Sequence, residues 1–345
     1  MRAVVIRAYG ALDQVRLEEV PRPVIQAEDD VIVALKAAAL NHLDLFVIEG
    51  LPGLSHTFPH VLGADGAGIV EAVGPAVTRV KVGESVLINP GVSCGRCEWC
   101  QAGEHSLCVS YALLGEHLPG TFAEAVRVPQ TSVTPLPREV PWVQAAAFPL
   151  VHLTAWRMLT TRARVRAGET VLIWGIGGGV ALAALGIAKL KGARVIVTSS
   201  SEEKLARARA LGADETINHA GADVAKEVRR LTARRGADVI VDSVGERTWE
   251  AGLRCLARQG RLVSCGATSG PGVTVDARRL FWYQYSILGS TMGSWSEFEE
   301  IVRLCGRGAL RPVVDRSFPL AEAGAALARM ARGDQFGKLV LEVAS

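Results

Sequence analysis

Val171-Leu172-Ile173-Trp174 is an apolar, strand-like run that passes directly into Gly175-Ile176-Gly177-Gly178-Gly179-Val180-Ala181 and then into an apolar helical stretch ending at Leu190. A second strand-like segment, Arg194 to Thr198, follows after three residues. A strand, a glycine turn, a helix and another strand in this order require a crossover connection, which builds parallel sheet. The alternation continues with helix Glu202 to Leu211 and strands near Val239 to Val241, Arg261 to Cys265 and Tyr285 to Leu288, so this half of the chain is expected to be α/β with a doubly wound parallel sheet. Ser201 stands where an N-cap is wanted, and Leu211-Gly212-Ala213-Asp214 offers a glycine for a left-handed helix end. Thr170 to Ala188 is nineteen residues without a charge, about the length that spans a bilayer. Four glycines interrupt it, and strands buried on both faces of a parallel sheet are continuously apolar too, so a buried strand, turn and helix is expected and no membrane partner.

The first 130 or so residues read differently. Short strands are expected at Ala3 to Ile6, Val15 to Glu18, Val31 to Ala37, Gly68 to Val73, Ser85 to Ile88 and Phe122 to Val128, punctuated by proline and glycine, as in a compact β-barrel. With 345 residues the chain is long enough for two domains. Its formal charge of +3 is spread without a Lys/Arg cluster, which argues against nucleic acid. Met1 to Ile6 reads as a strand, not as the start of an export signal, and a cytoplasmic location is expected.

Four of the seven cysteines, Cys94, Cys97, Cys100 and Cys108, follow a C-x2-C-x2-C-x7-C spacing. That span is short enough for four thiolates to close on one structural zinc per chain, leaving no coordination position for substrate. An iron-sulfur cluster or unligated thiols are the alternatives.

The glycine loop stands in the context of a dinucleotide site: glycines let backbone amides approach a pyrophosphate, and the helix N-terminus favours the anion. Glycines also serve ordinary turns, and it is the strand before and the helix after that favour the cofactor. Where an acid closing the second strand would hold the ribose hydroxyls of NAD(H), this chain has Ser199, Ser200 and Ser201, with Lys204 near. Hydroxyls and a lysine favour the 2′-phosphate of NADP(H). The other reading is that Ser199 caps a turn and both cofactors are accepted.

The stretches Gly63-Ala64-Asp65-Gly66-Ala67-Gly68, Gly120-Thr121-Phe122-Ala123-Glu124, the four-cysteine lobe, the glycine loop, Leu211-Gly212-Ala213-Asp214 and Gly337-Lys338-Leu339-Val340-Leu341 together resemble the medium-chain dehydrogenase/reductase superfamily over essentially the whole chain. The resemblance implies a chaperonin-10-like β-barrel catalytic domain over 1–153 and 291–345 with a zinc lobe at 91–110, and a Rossmann domain over 154–290. It also implies an active site in the cleft between them and a homodimer or homotetramer. By resemblance Gly178, Gly179 and Val180 face the pyrophosphate and Lys338 reaches a phosphate. Ser199, Lys204 and His219 surround the 2′-position, and Gly245, Gly266, Ala267 and Ser290 line the rest of the cofactor cleft. Thr154 matches a position beside the nicotinamide.

Zinc-dependent members hold a catalytic metal with a cysteine, a histidine-glutamate pair and a third ligand downstream. Here Asn41, Ala64-Asp65 and the Leu150 region stand at those places, as in the zinc-free quinone oxidoreductase branch. Zinc lowers the pKa of bound water from about 15.7 to about 7, worth on the order of 12 kcal/mol, so alcohol chemistry loses its main support without the metal. A small-molecule acceptor with an activated carbonyl, alkene or quinone needs less help, since hydrogen bonds can carry its delocalised charge. Asn41 is expected to donate its amide to the acceptor oxygen and His42 to relay a proton, unless either simply anchors its loop; Asp44 is expected to orient backbone. Two rival expectations are an alcohol dehydrogenase or carbonyl reductase, and an NADPH-binding protein of this fold with little turnover. Phe281 to Tyr285 suits core packing, a subunit contact or one wall of the substrate pocket.

Overall fold

The computed structural model describes residues 1–138 and 140–343. The chain divides into two units, Met1–Leu150 with Gly293–Ser345 and Val151–Met292, where 153/154 and 290/291 were the boundaries expected from sequence.

The first unit is built on a long strand, Asp30–Ala39, buried along most of its length. Strand Asp65–Val73 pairs antiparallel along one edge. The other edge is shared: Ala125–Pro129 pairs with its first half and Lys338–Glu342 with its end. Strands Ser85–Ile88, Val133–Pro135 and Val314–Pro319 extend this sheet, and a three-stranded sheet of Arg16–Glu19, Arg2–Ile6 and His60–Val61 adjoins it. Val31, Val33, Leu35, Val86, Phe122, Val126 and Leu341 fill the core, which the helix Ala323–Ala331 covers with Leu327 and Met330. The strand expected at Phe122 to Val128 begins at Ala125 instead. Phe122 bonds first to Val4 of the small sheet and to Leu62, which follows its strand His60–Val61, and the chain changes sheets before it reaches Asp30–Ala34. Gly63 permits that crossing: its φ is +98°, and a Cβ there would lie 2.2 Å from the Phe122 ring.

The second unit is the expected parallel sheet, in the order Glu215–Asn218, Arg194–Ser199, Thr170–Ile173, Ala237–Asp242, Leu256–Ser264, Ser286–Gly289. The order reverses between Thr170–Ile173 and Ala237–Asp242, and ligands of open α/β sheets bind at such switch points, outside the carboxyl ends of the strands. The apolar run from Thr170 is strand, glycine turn and the helix Gly179–Leu190. Among the described residues no helix is long and apolar enough to cross a membrane.

Candidate active site and metal centre

The short pair Gly91–Val92 and Ala112–Leu113 closes the neck of the cysteine lobe. Inside it the helix Glu98–Gln101 and the turn His105–Leu107 fold the chain back so that all four sulfurs lie within 4.8 Å of one another. Cys94 and Cys100 are 4.0 Å apart at sulfur, and Cys97 and Cys100 3.5 Å. Four thiolates at about 2.3 Å from a tetrahedral zinc stand about 3.8 Å apart, so the cluster has the dimensions of a closed zinc site. Backbone amides of Arg96 and Cys97 hold the Cys94 thiol at about 6, which favours the thiolate a metal needs. His105 stacks on Trp295 at 3.9 Å and fixes the lobe to the helix Trp295–Gly306.

A second cluster forms where three strand ends meet. Ala39 pairs with Asp65 on one side and Val340 on the other, so the residues flanking these partners, Asn41, Asp65 and Lys338, are brought together by register. The Lys338 ammonium donates to Asn41 Oδ1 at 2.6 Å and to Asp65 Oδ2 at 2.9 Å. Asn41 Nδ2 donates to the same carboxylate oxygen at 2.8 Å and to the Ala39 carbonyl at 3.4 Å. The Leu150 amide donates to Asp65 Oδ1 at 2.8 Å. Asp65 is fully buried and Lys338 is 4% exposed, so each charge depends on the other. Beside them Asp44 accepts from the Asn41 backbone amide at 2.7 Å in a capping box that starts the helix His42–Glu49. Burial pushes its carboxyl up to about 7.

In the second unit the residues expected at a dinucleotide lie along the carboxyl edge of the sheet. Gly175 and Gly177 have φ of +66° and +127°, conformations that favour glycine, and they turn the chain from Trp174 into the helix that Gly178 caps. No side chain caps that helix and no acid lies in its first turn, which leaves its N–H groups for an anion. A Cβ at Gly178 would meet nothing within 4 Å, so the space beside the loop is open. Ser199, Gly245, Gly266 and Ser290 stand at or just beyond the ends of neighbouring strands. The buried Ser290 Oγ has no hydrogen-bond partner among the described residues. These features fit a nicotinamide dinucleotide.

Residues 27–138 match the model of the alcohol dehydrogenase GroES-like domain, and residues 179–307 that of zinc-binding dehydrogenases. The quinone oxidoreductase of Pseudomonas aeruginosa is 34% identical over 347 residues, 97% of each chain. The acryloyl-coenzyme A reductase of Metallosphaera sedula is 31% identical over 346 residues, 99% of each chain. A crystal structure of an NAD-dependent alcohol dehydrogenase is 48% identical with a TM-score of 0.96, and 100% of each chain is covered. The chain belongs to the medium-chain dehydrogenase/reductase superfamily. It is an NAD(P)-dependent oxidoreductase that binds a nicotinamide cofactor and zinc.

For this oxidoreductase the structure places the expected site residues as follows. Lys338, expected at a cofactor phosphate, has its ammonium buried inside the first unit and bonded to Asn41 and Asp65. Asn41, expected to donate its amide to the acceptor or to anchor its loop, directs both N–H groups at protein oxygens, Asp65 Oδ2 and the Ala39 carbonyl. His42 is exposed and meets Phe46 edge-on at 5.0 Å. Thr154 is buried, with its hydroxyl 3.5 Å from the Met292 sulfur. Ser199 Oγ accepts from the Ser201 amide at 3.1 Å, and Ser201 caps the helix Glu202–Ala210 by accepting from the Lys204 amide. His219 is exposed; its amide donates to the Ser199 carbonyl and its ring is 6.4 Å from Trp174.

Sequence reasoning missed Asp242. This fully buried carboxylate accepts from the Val244 and Gly245 amides and from the Thr248 hydroxyl at 2.6 Å, and so fixes the turn that presents Gly245. The available signal was an acid closing an apolar strand immediately before Ser243-Val244-Gly245.

Proposed function

We propose that the enzyme reduces an electron-poor alkene conjugated to a carbonyl, or a quinone, using NADPH in preference to NADH and no catalytic zinc. The observation that carries this reading is the Asn41–Asp65–Lys338 junction. It joins two of the positions at which zinc-dependent members bind their catalytic metal, Asn41 and Asp65, and takes in the Leu150 amide from the third. Among the described residues the only group of three or more metal-ligating side chains is the four cysteines, whose coordination is closed. The nicotinamide would supply hydride. The chain would hold the pyrophosphate at Gly178, Gly179 and Val180 and the 2′-phosphate near Ser199, Ser200 and Lys204. The quinone oxidoreductase and the acryloyl-coenzyme A reductase are relatives consistent with such acceptors.

Two measurements test the reading: zinc per subunit, expected near one, and NADPH oxidation by a panel of enones, enoyl thioesters and quinones. No acceptor outpacing buffer would end it. The likeness to an NAD-dependent alcohol dehydrogenase favours the second reading, alcohol oxidation. Two zincs per subunit together with alcohol turnover would establish that instead. We also infer a homo-oligomer, since Phe281 and Trp282 are each 67% exposed next to the edge strand Ser286–Gly289, an apolar surface that suits a subunit contact.

A further inference from the structure

A basic cavity lies at the other end of the second unit's sheet from the glycine loop. Arg234 to Gly236 lead into the strand Ala237–Asp242, and Tyr283 to Tyr285 lead into Ser286–Gly289. Between them Ala257 to Gly260 bulge from Leu256–Ser264, since Ala237 pairs with Leu256 but Val239 with Arg261. The three strands run parallel, so these segments meet at the amino edge of the sheet. They enclose an open cavity of about 480 Å³, within the size range of small-molecule sites, lined by Arg234, Arg235, Arg258, Gln259, Gln284 and the rings of Trp282 and Tyr283. No acid lines it. Arg235 is balanced by Asp238, to which its guanidinium donates at 2.6 and 2.8 Å. Arg234 and Arg258 form no ion pair with a described residue, and the side-chain amides of Gln259 and Gln284 make no hydrogen bond to one. Arg258 stands 5.1 Å over the Tyr283 ring, which holds that guanidinium at the cavity wall. Arg234, Gln259 and Gln284 are left-handed, with φ of +69°, +58° and +55°. Glycine would take that conformation without strain, yet each of these positions carries a long hydrogen-bond donor. Two unbalanced guanidiniums beside one space repel each other, and an anion between them turns that repulsion into attraction.

We propose that this cavity is a second small-molecule site, which binds a diphosphate through Arg234, Arg258, Gln259 and Gln284. The donor set selects the class. One guanidinium fork meets both oxygens of a carboxylate and leaves an added amide without an acceptor, whereas a terminal phosphoryl group has a third oxygen for the amide N–H. Two forks and two amides therefore suit two phosphoryl groups better than two carboxylates. The site is separate from the dinucleotide's, because the glycine loop follows the carboxyl end of Thr170–Ile173 and the cavity sits at the amino edge of the same sheet. It is a binding site with no bond made or broken in it, and it does not depend on which acceptor the enzyme reduces.

The test is calorimetric titration of the full-length protein, saturated with NADPH so that the dinucleotide site is filled, with inorganic pyrophosphate, adenosine diphosphate and sulfate. Both diphosphates should bind saturably, and sulfate at least about tenfold more weakly. Adenosine diphosphate binding more tightly than pyrophosphate would mean that the diphosphate arrives on a nucleoside; equal binding would mean that the free ion is the ligand. Arg234→Ser and Arg258→Ser should each weaken pyrophosphate about tenfold, and Arg258→Lys, which keeps the charge but not the fork, should weaken it less. Both arginines are exposed, so the variants should fold, and gel filtration checks that they keep the subunit contact inferred for Trp282, which borders the cavity. Hydrogen exchange locates the ligand: pyrophosphate should slow exchange across 232–237 and 256–260 and leave 175–179 unchanged. No saturable binding to wild type, sulfate bound as tightly as pyrophosphate, an affinity unchanged in Arg234→Ser/Arg258→Ser, or protection confined to 175–179 overturns the proposal.

Discussion

The Lys338–Asp65 pair makes a quantitative prediction about stability, because the two charges are buried unequally well. Replacing Lys338 by Met leaves the Asp65 carboxylate with two N–H donors, from Asn41 and Leu150. Replacing Asp65 by Asn leaves the ammonium with Asn41 Oδ1 as its one charge-free acceptor. Removing one partner of a buried pair costs about 3–5 kcal/mol, so Lys338→Met belongs at about 3 and Asp65→Asn at about 5. In the double variant the introduced asparagine still accepts from the Leu150 amide, and a rotation of Asn41 lets the two side-chain amides bond. What is lost is about one or two hydrogen bonds, about 2 kcal/mol. Additivity would give about 8 kcal/mol, so the cycle should show a coupling of about 6 kcal/mol. Urea unfolding followed by circular dichroism measures it wherever each transition is single, and melting offers a check at roughly 2 °C per kcal/mol for a chain of this length. A double variant destabilised by the sum of the single effects would refute the reasoning, since the two groups would then not be each other's counter-ions.

Four further outcomes are expected. Gly178→Val should fold normally, because its φ is ordinary and its Cβ direction is open, yet weaken NADPH binding by at least about tenfold, read from the fluorescence of bound NADPH; unchanged binding would remove the loop from the pyrophosphate site. Ser199→Asp should move the NADH/NADPH preference in kcat/KM toward NADH by about tenfold or more, because a carboxylate repels the 2′-phosphate and holds ribose hydroxyls. Cys97→Ser should lower zinc from about one per subunit toward none and raise hydrogen exchange across 91–113, while the exchange of Thr170–Ile173 stays as it was. Asp44 has a folded pKa of about 7 against 3.8, so the folded state binds the extra proton between those values and stability falls as pH rises through that window, by a few kcal/mol; Asp44→Asn should flatten that slope in urea titrations from pH 4 to 7.

The parallel sheet and the zinc lobe were legible because their signals are local. A glycine loop between a buried strand and a helix, and four cysteines within fifteen residues, each confine their structure to one short stretch. Even the Ser201 cap and the left-handed Gly212, with φ of +98°, can be read from neighbouring residues. The junction is different in kind. Asn41 and Lys338 are 297 residues apart, and nothing near either shows that Lys338–Glu342 lies beside the end of Asp30–Ala39. Lys338 stands in a stretch that suggests only a strand with one cation, and a phosphate is as reasonable a partner for it as a carboxylate. The Phe122 boundary was misplaced for a related reason, since its hydrogen bonds go to Val4 in the other sheet and to Leu62 just past that sheet's strand His60–Val61.

The junction also shows why one backbone can serve with or without a second metal. Register brings the ends of Asp30–Ala39, Asp65–Val73 and Lys338–Glu342 to one point whatever side chains they carry. A buried acid at that point, Asp65, needs a positive partner. Cysteine and histidine around it could recruit a zinc ion to provide one, whereas asparagine and alanine cannot, and a lysine from the third strand then becomes the cation that balances it. A zinc ion offers an open coordination position and acidifies what it binds, while an ammonium offers a hydrogen bond and a fixed charge. On this argument metal occupancy at the junction is set by Asn41 and Ala64 and not by the fold, so zinc per subunit should stay near one in Lys338 variants that leave the four cysteines intact.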